Sequence, residues 1–381
     1  MKNLKLISSI LLLFTLASCT QEPETVAVDA NAIISTVAAD FSSGAHSVIS
    51  KDDDGERMAL NELLPTGSDI TIAAYGSHFY RIERAFSGNS ITKFSSSEPQ
   101  TPIWQYSTND AGSAVLSNPH DMVFVSETKA YVLRYGSNKM WIVDPSAATE
   151  DKFKVGEIDL SSYDDADGVP EMDSGVVVDG QLYITLQRLD NFAVTQNPYI
   201  AIIDVITDEE VDANIAGDSL KGIPLQTRNP TNIVYEPVSN TIFVQGSGSF
   251  FPVEYTGGIE KVDLDSLSAT VVLDDGDDFD HPYGLITELA AVSDTILYFV
   301  GYAGFTDNTL YRLDLSTAEI TATTVTSLIN GQIANLTVDS DGLLWVGDSA
   351  NATVRIIDPQ TDTEVDALFT SLNPEKVVFA D

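Results

Sequence analysis

The chain has 381 residues, of which 57 are acidic and 19 are Lys or Arg, so its formal net charge is −38. Such a charge excludes binding of nucleic acid or anionic lipid through the general field of the protein, because like charges repel. A hydrophobic content of 43% excludes a disordered chain and predicts a large folded core.

The N-terminal residues predict export. A start with two lysines precedes an apolar run from Leu6 to Leu16, which is about half as long as a membrane-spanning helix. The run ends in Leu16-Ala17-Ser18-Cys19, which resembles the lipobox of bacterial lipoproteins. The resemblance implies that residues 1–18 are a signal peptide, that Cys19 is acylated, and that residues 19–30 are a tether. The alternative is an ordinary secretory signal with an incidental cysteine.

The same residues predict the compartment. Cys19 is the only cysteine, so no intrachain disulfide can form and stability must come from core packing. Several acyl chains on one residue anchor a protein stably, and Thr20 after the cysteine favours the outer membrane. We therefore expect a lipid-anchored protein of the cell envelope that faces the periplasm or the cell surface.

From residue 31 onward the sequence predicts β-strands that recur in units of about fifty residues. The clearest unit has strands near 233–235, 241–244, 259–263 and 269–273, separated by turn residues. Corresponding positions recur about 51 to 59 residues apart, at Asp69, Asp121, Asp173, Asn232, Gly284 and Asn335. A four-stranded unit with this period is typical of a propeller blade, which buries its faces only against its neighbours.

The two ends of the chain predict how the ring closes. Residues 373–379 have the pattern of a first strand, but the chain ends before a second can follow. The missing three strands are predicted at 33–39, 45–49 and 57–63. A last blade built from both termini removes the exposed sheet edges and gives seven blades. Six blades with a free N-terminal segment are the alternative.

The third strands carry a family resemblance. They end in Ile-Val-Asp144 or Ile-Ile-Asp358, each followed by a turn and a further strand. This pattern resembles the YVTN-type propellers, in which surface and periplasmic lipoproteins are common. The resemblance covers residues 31–381 and implies an all-β, seven-bladed propeller with four-stranded antiparallel blades. It indicates the fold rather than the function, because propellers host unrelated activities.

One face of this propeller is predicted to bind a ligand. We call it the upper face; it carries the loops from each fourth strand to the next blade and from each second strand to the third. The short turns of the opposite, lower face are hairpin turns such as Asp179-Gly180, Asp341-Gly342 and Asp53-Asp54-Gly55. The predicted ligand-binding residues are Asp121, Asp173, Asn232 and Asn335 at the channel mouth, His120 and Tyr283 beside them, Arg84, Arg134 and Arg188 near the ends of second strands, and Phe192, Phe251, Tyr302 and Phe305 in loops.

Two kinds of ligand fit such a face. Aromatic walls with a few convergent polar groups are typical of small-molecule sites, whereas exposed aromatic and arginine side chains are typical of protein interfaces. The structural alternative is that the polar residues cap strand ends and that the loop aromatics pack between blades.

Two acidic loops on the upper face are candidate Ca²⁺ sites. One contains Asp165 and Asp167, and the other contains Asp275 and Asp277. Closely spaced carboxylates in glycine-containing turns provide the oxygen ligands that Ca²⁺ prefers. Neither loop has the spacing of an EF-hand, so solvated acidic loops are the alternative.

No residue is predicted to be catalytic. The chain has no nucleophile elbow, and His120 and His281, predicted to face each other across the channel, recur as structural repeat positions. Asp121, Asp173, Asn232 and Asn335 are similar in type to the residues with which propeller lactonases hold Ca²⁺. That resemblance implies a Ca²⁺-dependent hydrolase or a lyase as the alternative function, although the Pro-Asp-Gly signature of those lactonases is absent.

These observations favour a membrane-anchored, non-enzymatic propeller that captures a small molecule or a partner protein on its upper face. The chain is also similar to surface propellers that collect cobalamin or iron chelates. That similarity implies nutrient uptake with a TonB-dependent receptor as the partner.

Overall fold

The computed structural model describes residues 30–52, 54–164, 166–213 and 217–380. The helices of this described part are single turns: the α-helix Glu150–Phe153 and the 3-10 helices Ser161–Tyr163, Thr326–Leu328 and Ser349–Asn351. None of them is long and apolar enough to cross a membrane. The predicted signal peptide, Cys19 and the tether up to residue 29 lie outside the described residues, as does Asp53.

All other regular elements are β-strands. The chain begins with β1 (Ala30–Val37), β2 (Gly44–Lys51) and β3 (Arg57–Thr66), followed by β4 (Ile70–Tyr75), β5 (His78–Glu83), β6 (Ser90–Ser95) and β7 (Glu98–Ser107), and by β8 (Pro119–Ser126), β9 (Lys129–Arg134), β10 (Lys139–Val143) and β11 (Lys154–Asp159). The middle part contains β12 (Met172–Val178), β13 (Gln181–Leu186), β14 (Tyr199–Asp204), β15 (Glu209–Glu210) and β16 (Ile223–Pro224), followed by β17 (Pro230–Glu236), β18 (Thr241–Gly246), β19 (Ser249–Phe250), β20 (Val253–Glu254), β21 (Gly258–Asp263) and β22 (Ser268–Asp274). The last part contains β23 (Leu285–Ala291), β24 (Ile296–Gly304), β25 (Asp307–Asp314) and β26 (Glu319–Ala322), followed by β27 (Ile333–Val338), β28 (Leu344–Asp348), β29 (Thr353–Asp358), β30 (Thr363–Phe369) and β31 (Asn373–Phe379).

The described strands form seven antiparallel blades, which confirms the predicted fold. Blades one to six follow the chain from β4 to β30, and the first strand of each lies innermost. Blade three departs from the pattern because two short strands, β15 and β16, share the position of its fourth strand beside β14. Blade four carries an extra small hairpin, β19–β20, in the loop between its second and third strands.

The seventh blade is built from both ends of the chain. Its strand order is β3-β2-β1-β31, so the C-terminal strand is innermost and pairs with the N-terminal one. The pairing is antiparallel, with Ile33 opposite Val378 and Ile34 opposite Val377. The prediction of ring closure is therefore confirmed, and the six-bladed alternative is wrong.

The core consists of seven apolar clusters, one between each pair of neighbouring blades. Strand β1 shows how the ring closes, because successive side chains of a strand point to opposite faces. Ile33 packs against Ile72 and Phe79 of blade one, whereas Ile34 packs with Val354 of blade six. Both isoleucines are fully buried, and each contributes about 1.5–3 kcal/mol of hydrophobic free energy.

Strand direction fixes which end of the molecule each segment occupies. Every innermost strand runs from the upper to the lower face, so β31 ends at the lower face where β1 begins. There Ala380 donates its N–H to the carbonyl oxygen of Asn31 over 3.2 Å. The lower-face turns have the expected hairpin geometry, with positive φ angles of 48° at Asp179 and 78° at Gly180. The first described strand therefore begins at the lower face.

Replacing Ile34 with Ala should lower the free energy of unfolding by about 2–4 kcal/mol, because it leaves a cavity between blades six and seven. The matched control is Ile206→Ala, since Ile206 is exposed in a lower-face turn and its truncation should cost less than about 0.5 kcal/mol. Urea unfolding followed by tryptophan fluorescence measures both values. Equal stability of the two variants would contradict the packing of blade seven against blade six.

Candidate functional site

A cavity of about 970 Å³ runs along the channel and opens on the upper face. It exists because seven innermost strands surround one axis and each projects side chains toward that axis. Of the sequence-predicted ligand residues, the structure brings eight together in its lining: Arg84, His120, Asp121, Asp173, Phe192, Asn232, Phe251 and Asn335. This cavity is the candidate site.

Two predicted arginines lie elsewhere and hold loops together. Arg134 is buried, pairs with Asp110 over 2.7 Å and lies 4.5 Å from the ring centroid of Trp141. Arg188 donates to the carbonyl oxygens of Tyr163 and Asn197. Their sequence position at the ends of second strands did not reveal that they turn into the loop scaffold rather than toward the channel.

Three predicted aromatic residues also lie outside the lining of the cavity. Tyr302 packs edge-on against Phe250, with ring centroids 5.3 Å apart. The ring centroid of Phe305 lies 6.4 Å from that of Phe41, which belongs to a loop of blade seven. Tyr283 lines a separate, smaller pocket, as does His281, so the prediction that His120 and His281 face each other across the channel is wrong.

Blade five contributes a residue that the sequence analysis missed. The innermost strands of blades two and four each have a β-bulge directly before Asp121 and Asn232. In blade five the corresponding bulge precedes Glu288, and Glu288, not Gly284, lines the cavity. The predicted phase of this blade was therefore wrong by four residues. A lone acid within the apolar run 285–291 was the available signal.

His120 and Asp173 form the most directional polar contact in the cavity. The His120 Nδ1 atom lies 2.8 Å from Asp173 Oδ2, and the imidazole stacks on Tyr135 with ring centroids 4.1 Å apart. Burial and the neighbouring carboxylates raise the pKa of Tyr135, whose hydroxyl donates to Gln187 Oε1. The ring of His120 is thereby fixed in orientation, with Nε2 as its remaining polar atom.

The other basic side chains of the cavity also lie near acids. Arg84 donates from Nε to Asp69 over 2.9 Å, just outside the lining. Lys376 Nζ lies 3.9 Å from Asp121 Oδ1, and Asp121 Oδ2 accepts the N–H of Gly175. Asn335 is held by its Oδ1, which accepts the N–H of Val377. Each positive charge facing the channel therefore has a carboxylate beside it.

Two further carboxylates face the cavity without such a partner. Among the described residues, neither Glu288 nor Glu375 has a cationic group within 4.0 Å; Glu288 accepts a long, 3.4 Å hydrogen bond from Asn232 and a backbone hydrogen bond from Leu336. Burial raises the pKa of Glu288 to about 8 and that of Glu375 to about 7. Part of each side chain remains accessible within the cavity, but surrounding protein replaces most of its water.

The rim of the cavity is aromatic and belongs to an aromatic face. Phe192 and Phe251 line the opening with 80% and 95% of their surfaces exposed. Every exposed phenylalanine of the described residues lies at the upper end of a blade or in an upper-face loop. The seven are Phe41, Phe86, Phe192, Phe251, Phe279, Phe305 and Phe369. The lower face has no exposed phenylalanine in the described part of the chain.

The described carboxylates of the two acidic loops, which were candidate Ca²⁺ ligands, bind backbone N–H groups. Asp277 accepts the N–H groups of Phe279 and Asp280 and so caps its own turn. Asp275 is buried, accepts the N–H of Gly257, and has its pKa raised to about 7 by burial. Asp167 accepts two backbone N–H groups, and Asp165 lies outside the described residues. In the described ranges no three His, Cys, Asp or Glu residues are grouped to hold a metal ion.

Comparisons with known proteins establish the fold alone. No protein-family model and no curated protein matches the sequence. A protein from Lactobacillus plantarum has a similar structure at 12% identity, with a TM-score of 0.62 over 92% of this chain and 99% of that one. A putative 6-phosphogluconolactonase from Bacteroides fragilis is similar at 12% identity, with a TM-score of 0.57 over 94% of this chain and 100% of that one. A streptogramin B lyase is similar at 12% identity, with a TM-score of 0.53 over 84% of this chain and 92% of that one. Propellers with lactonase or lyase names thus share this architecture.

Removing the carboxylate of Glu288 should stabilise the protein more at high pH than at low pH. The folded pKa of about 8 exceeds the ordinary 4.5, so ionisation costs folding free energy as pH rises through that window, and the full cost applies above pH 8. The difference in the free energy of unfolding between Glu288→Gln and the wild type should therefore shift in favour of the variant as the pH rises from 5 to 9. Urea unfolding at the two pH values measures the gain. Glu319→Gln, at an exposed outer-strand position, is the control, and a pH-independent gain in Glu288→Gln would contradict this electrostatic account.

Proposed function

We propose that this protein is a binding propeller that captures a small organic cation in its channel. The observation that carries the proposal is the pairing of charges in the cavity. Arg84, His120 and Lys376 each have a carboxylate beside them. In contrast, Glu288 and Glu375 have no cationic group within 4.0 Å among the described residues. A positive group placed between these two carboxylates would favour their ionised forms and offset the cost of burying them.

The aromatic rim supports a ligand that also has an apolar part. Phe192, Phe250 and Phe251 line the opening, and Tyr135 lies deeper against His120. Aromatic faces attract cations and bury apolar groups, and a cavity of about 970 Å³ falls within the size range of small-molecule sites. The same surplus of carboxylates disfavours a polyanionic iron chelate. Delivery of cobalamin or an iron chelate to a TonB-dependent receptor remains a prediction from the family resemblance.

Membrane anchoring through Cys19 is part of the proposal and fits the start of β1 at the lower face. The eleven residue steps from Cys19 to Ala30 can span at most about 40 Å when extended. An acylated protein would therefore have its lower face nearest to the membrane. The cavity would open on the opposite side, toward the periplasm or the cell surface, where a soluble ligand can enter.

One observation favours acid–base catalysis as a second candidate. His120 is oriented by Asp173 at 2.8 Å within a cavity that also contains carboxyl groups with pKa values of about 8 and 7. Groups that exchange protons near neutral pH are suited to general acid–base chemistry, as in lactone opening or elimination. The names of the lactonase and lyase neighbours are consistent with this candidate, but those proteins share only the fold.

A charge-matched pair of probes tests the proposed ligand class. Tryptamine, an amine, should bind, whereas indole-3-acetate, an acid on the same ring system, should not. Replacing both carboxylates, Glu288→Gln with Glu375→Gln, should weaken tryptamine binding at least about tenfold, because two charge-assisted contacts are lost. Isothermal titration calorimetry at pH 8 measures both affinities.

The matched control replaces two exposed acids of blade five, Asp294→Asn with Glu319→Gln, and should leave tryptamine affinity unchanged. Equal binding of the amine and the acid, or retained affinity in the Glu288/Glu375 variant, would overturn the proposal. Recovering the probe unchanged after binding supports capture. Conversion of a lactone panel that is lost in His120→Asn would instead support the enzyme candidate.

A further inference from the structure

A second, smaller pocket lies beside the channel opening on the upper face, where loops of blades four, five and six meet. We call it the tyrosine pocket; its volume is about 280 Å³. Its side walls come from Tyr255, His281, Tyr283 and Tyr311, with Asp307 at the edge. It shares no lining residue with the channel cavity, so whatever it binds is independent of the proposed channel ligand.

The rings of the pocket form two aromatic walls. Tyr255 stacks on His281, with centroids 4.0 Å apart and planes 10° from parallel, and the two form one plate. Tyr283 and Tyr311 meet at 70° with centroids 5.0 Å apart and form a corner. All four residues are half-buried, so each ring keeps part of its surface open.

A glycine allows the corner to form. A Cβ atom on Gly301 would lie 2.8 Å from Cε2 of Tyr311 and 2.5 Å from the carbonyl oxygen of Tyr283. Both distances are shorter than van der Waals contact, so any side chain here would displace the tyrosine ring or the strand. The backbone of β24 thus leaves room for the two tyrosine rings, which also pack against Phe299 of the core.

The electrostatic character of the pocket is negative. Asp307 is exposed and is the only carboxylate in the lining, which contains no Lys or Arg among the described residues. The acidic loop 274–280 directly precedes His281 of the pocket in sequence. The carbonyl oxygen of Asp277 in this loop lies 2.8 Å from His281 Nδ1. Aromatic faces, which carry partial negative charge, and a carboxylate together attract a positive group.

We propose that the tyrosine pocket binds a quaternary ammonium group. Such a cation is weakly hydrated and has no N–H to donate, so it needs aromatic faces and a nearby negative charge rather than hydrogen-bond acceptors. The pocket offers three tyrosine rings and one carboxylate around a volume of about 280 Å³, which is large enough to admit a trimethylammonium head group. The group can belong to a free compound of the choline type or to a phosphocholine head group.

Choline and its neutral isostere 3,3-dimethylbutan-1-ol are the probes that test this site. Choline should bind saturably in isothermal titration calorimetry, and the isostere, which has the same shape without the charge, should bind about tenfold more weakly. Tyr255→Leu, which removes one wall, should weaken choline at least about tenfold. Tyr255→Phe should retain binding, and Asp307→Asn should weaken it severalfold.

The matched control is Phe86→Leu, because Phe86 is an exposed aromatic residue of the same face that does not line the pocket. It should leave choline affinity unchanged.

Phosphatidylcholine vesicles distinguish the two sources of the ammonium group. Sedimentation of the protein with the vesicles that depends on Tyr255 supports the head group, and choline binding without sedimentation supports a free compound. Absence of saturable choline binding, equal binding of the isostere, or full affinity in Tyr255→Leu would overturn the proposal. Glu288→Gln leaves this pocket intact, so a failure here is separate from a failure of the channel ligand.

Discussion

The hydrogen-bonded pairing of β1 with β31 is the interaction on which the rest of the structure depends. Each blade buries its two faces only against its neighbours, so a ring with one open joint would expose two apolar faces at once. The pairing joins the first and last described strands, and Ile33 and Ile34 then fill the clusters on either side of blade seven. Closure also sets where the channel lies, because only a complete ring directs seven innermost strands toward one axis.

The channel contains two carboxylates without a cationic group beside them, Glu288 and Glu375. Burying a carboxylate without a charged partner is costly. Here Glu288 and Glu375 keep raised pKa values of about 8 and 7 because burial outweighs the help of Asn232, Lys376 and Arg84. Such a cost at the mouth of a cavity is typical of a site whose ligand supplies the missing charge. The clustering of exposed phenylalanine on the same face is a second feature that packing does not explain.

The sequence predicted the fold well because the fold is repetitive. Turn residues and apolar runs recur at a constant period, and the short C-terminal strand could be matched to three strands at the other end. The site was predicted only in part, since a repeat does not reveal where a β-bulge shifts the phase. Glu288 was missed for that reason. Arg134 and Asp275 were misplaced because sequence position near a loop does not indicate burial; Arg134 packs on Trp141, and Asp275 turns inward to Gly257.

Amide hydrogen exchange in β1, measured in the whole chain and in a chain ending at Leu372, tests ring closure most directly. In the whole protein β1 pairs with β31 on one side and with β2 on the other, so the β1 amides that donate to β31 should exchange slowly there. Without β31 the same amides should exchange fast, and cooperative melting should be lost because blade seven no longer joins its neighbours. Equal protection of β1 in both chains, with unchanged melting, would contradict the closed ring and with it the channel site.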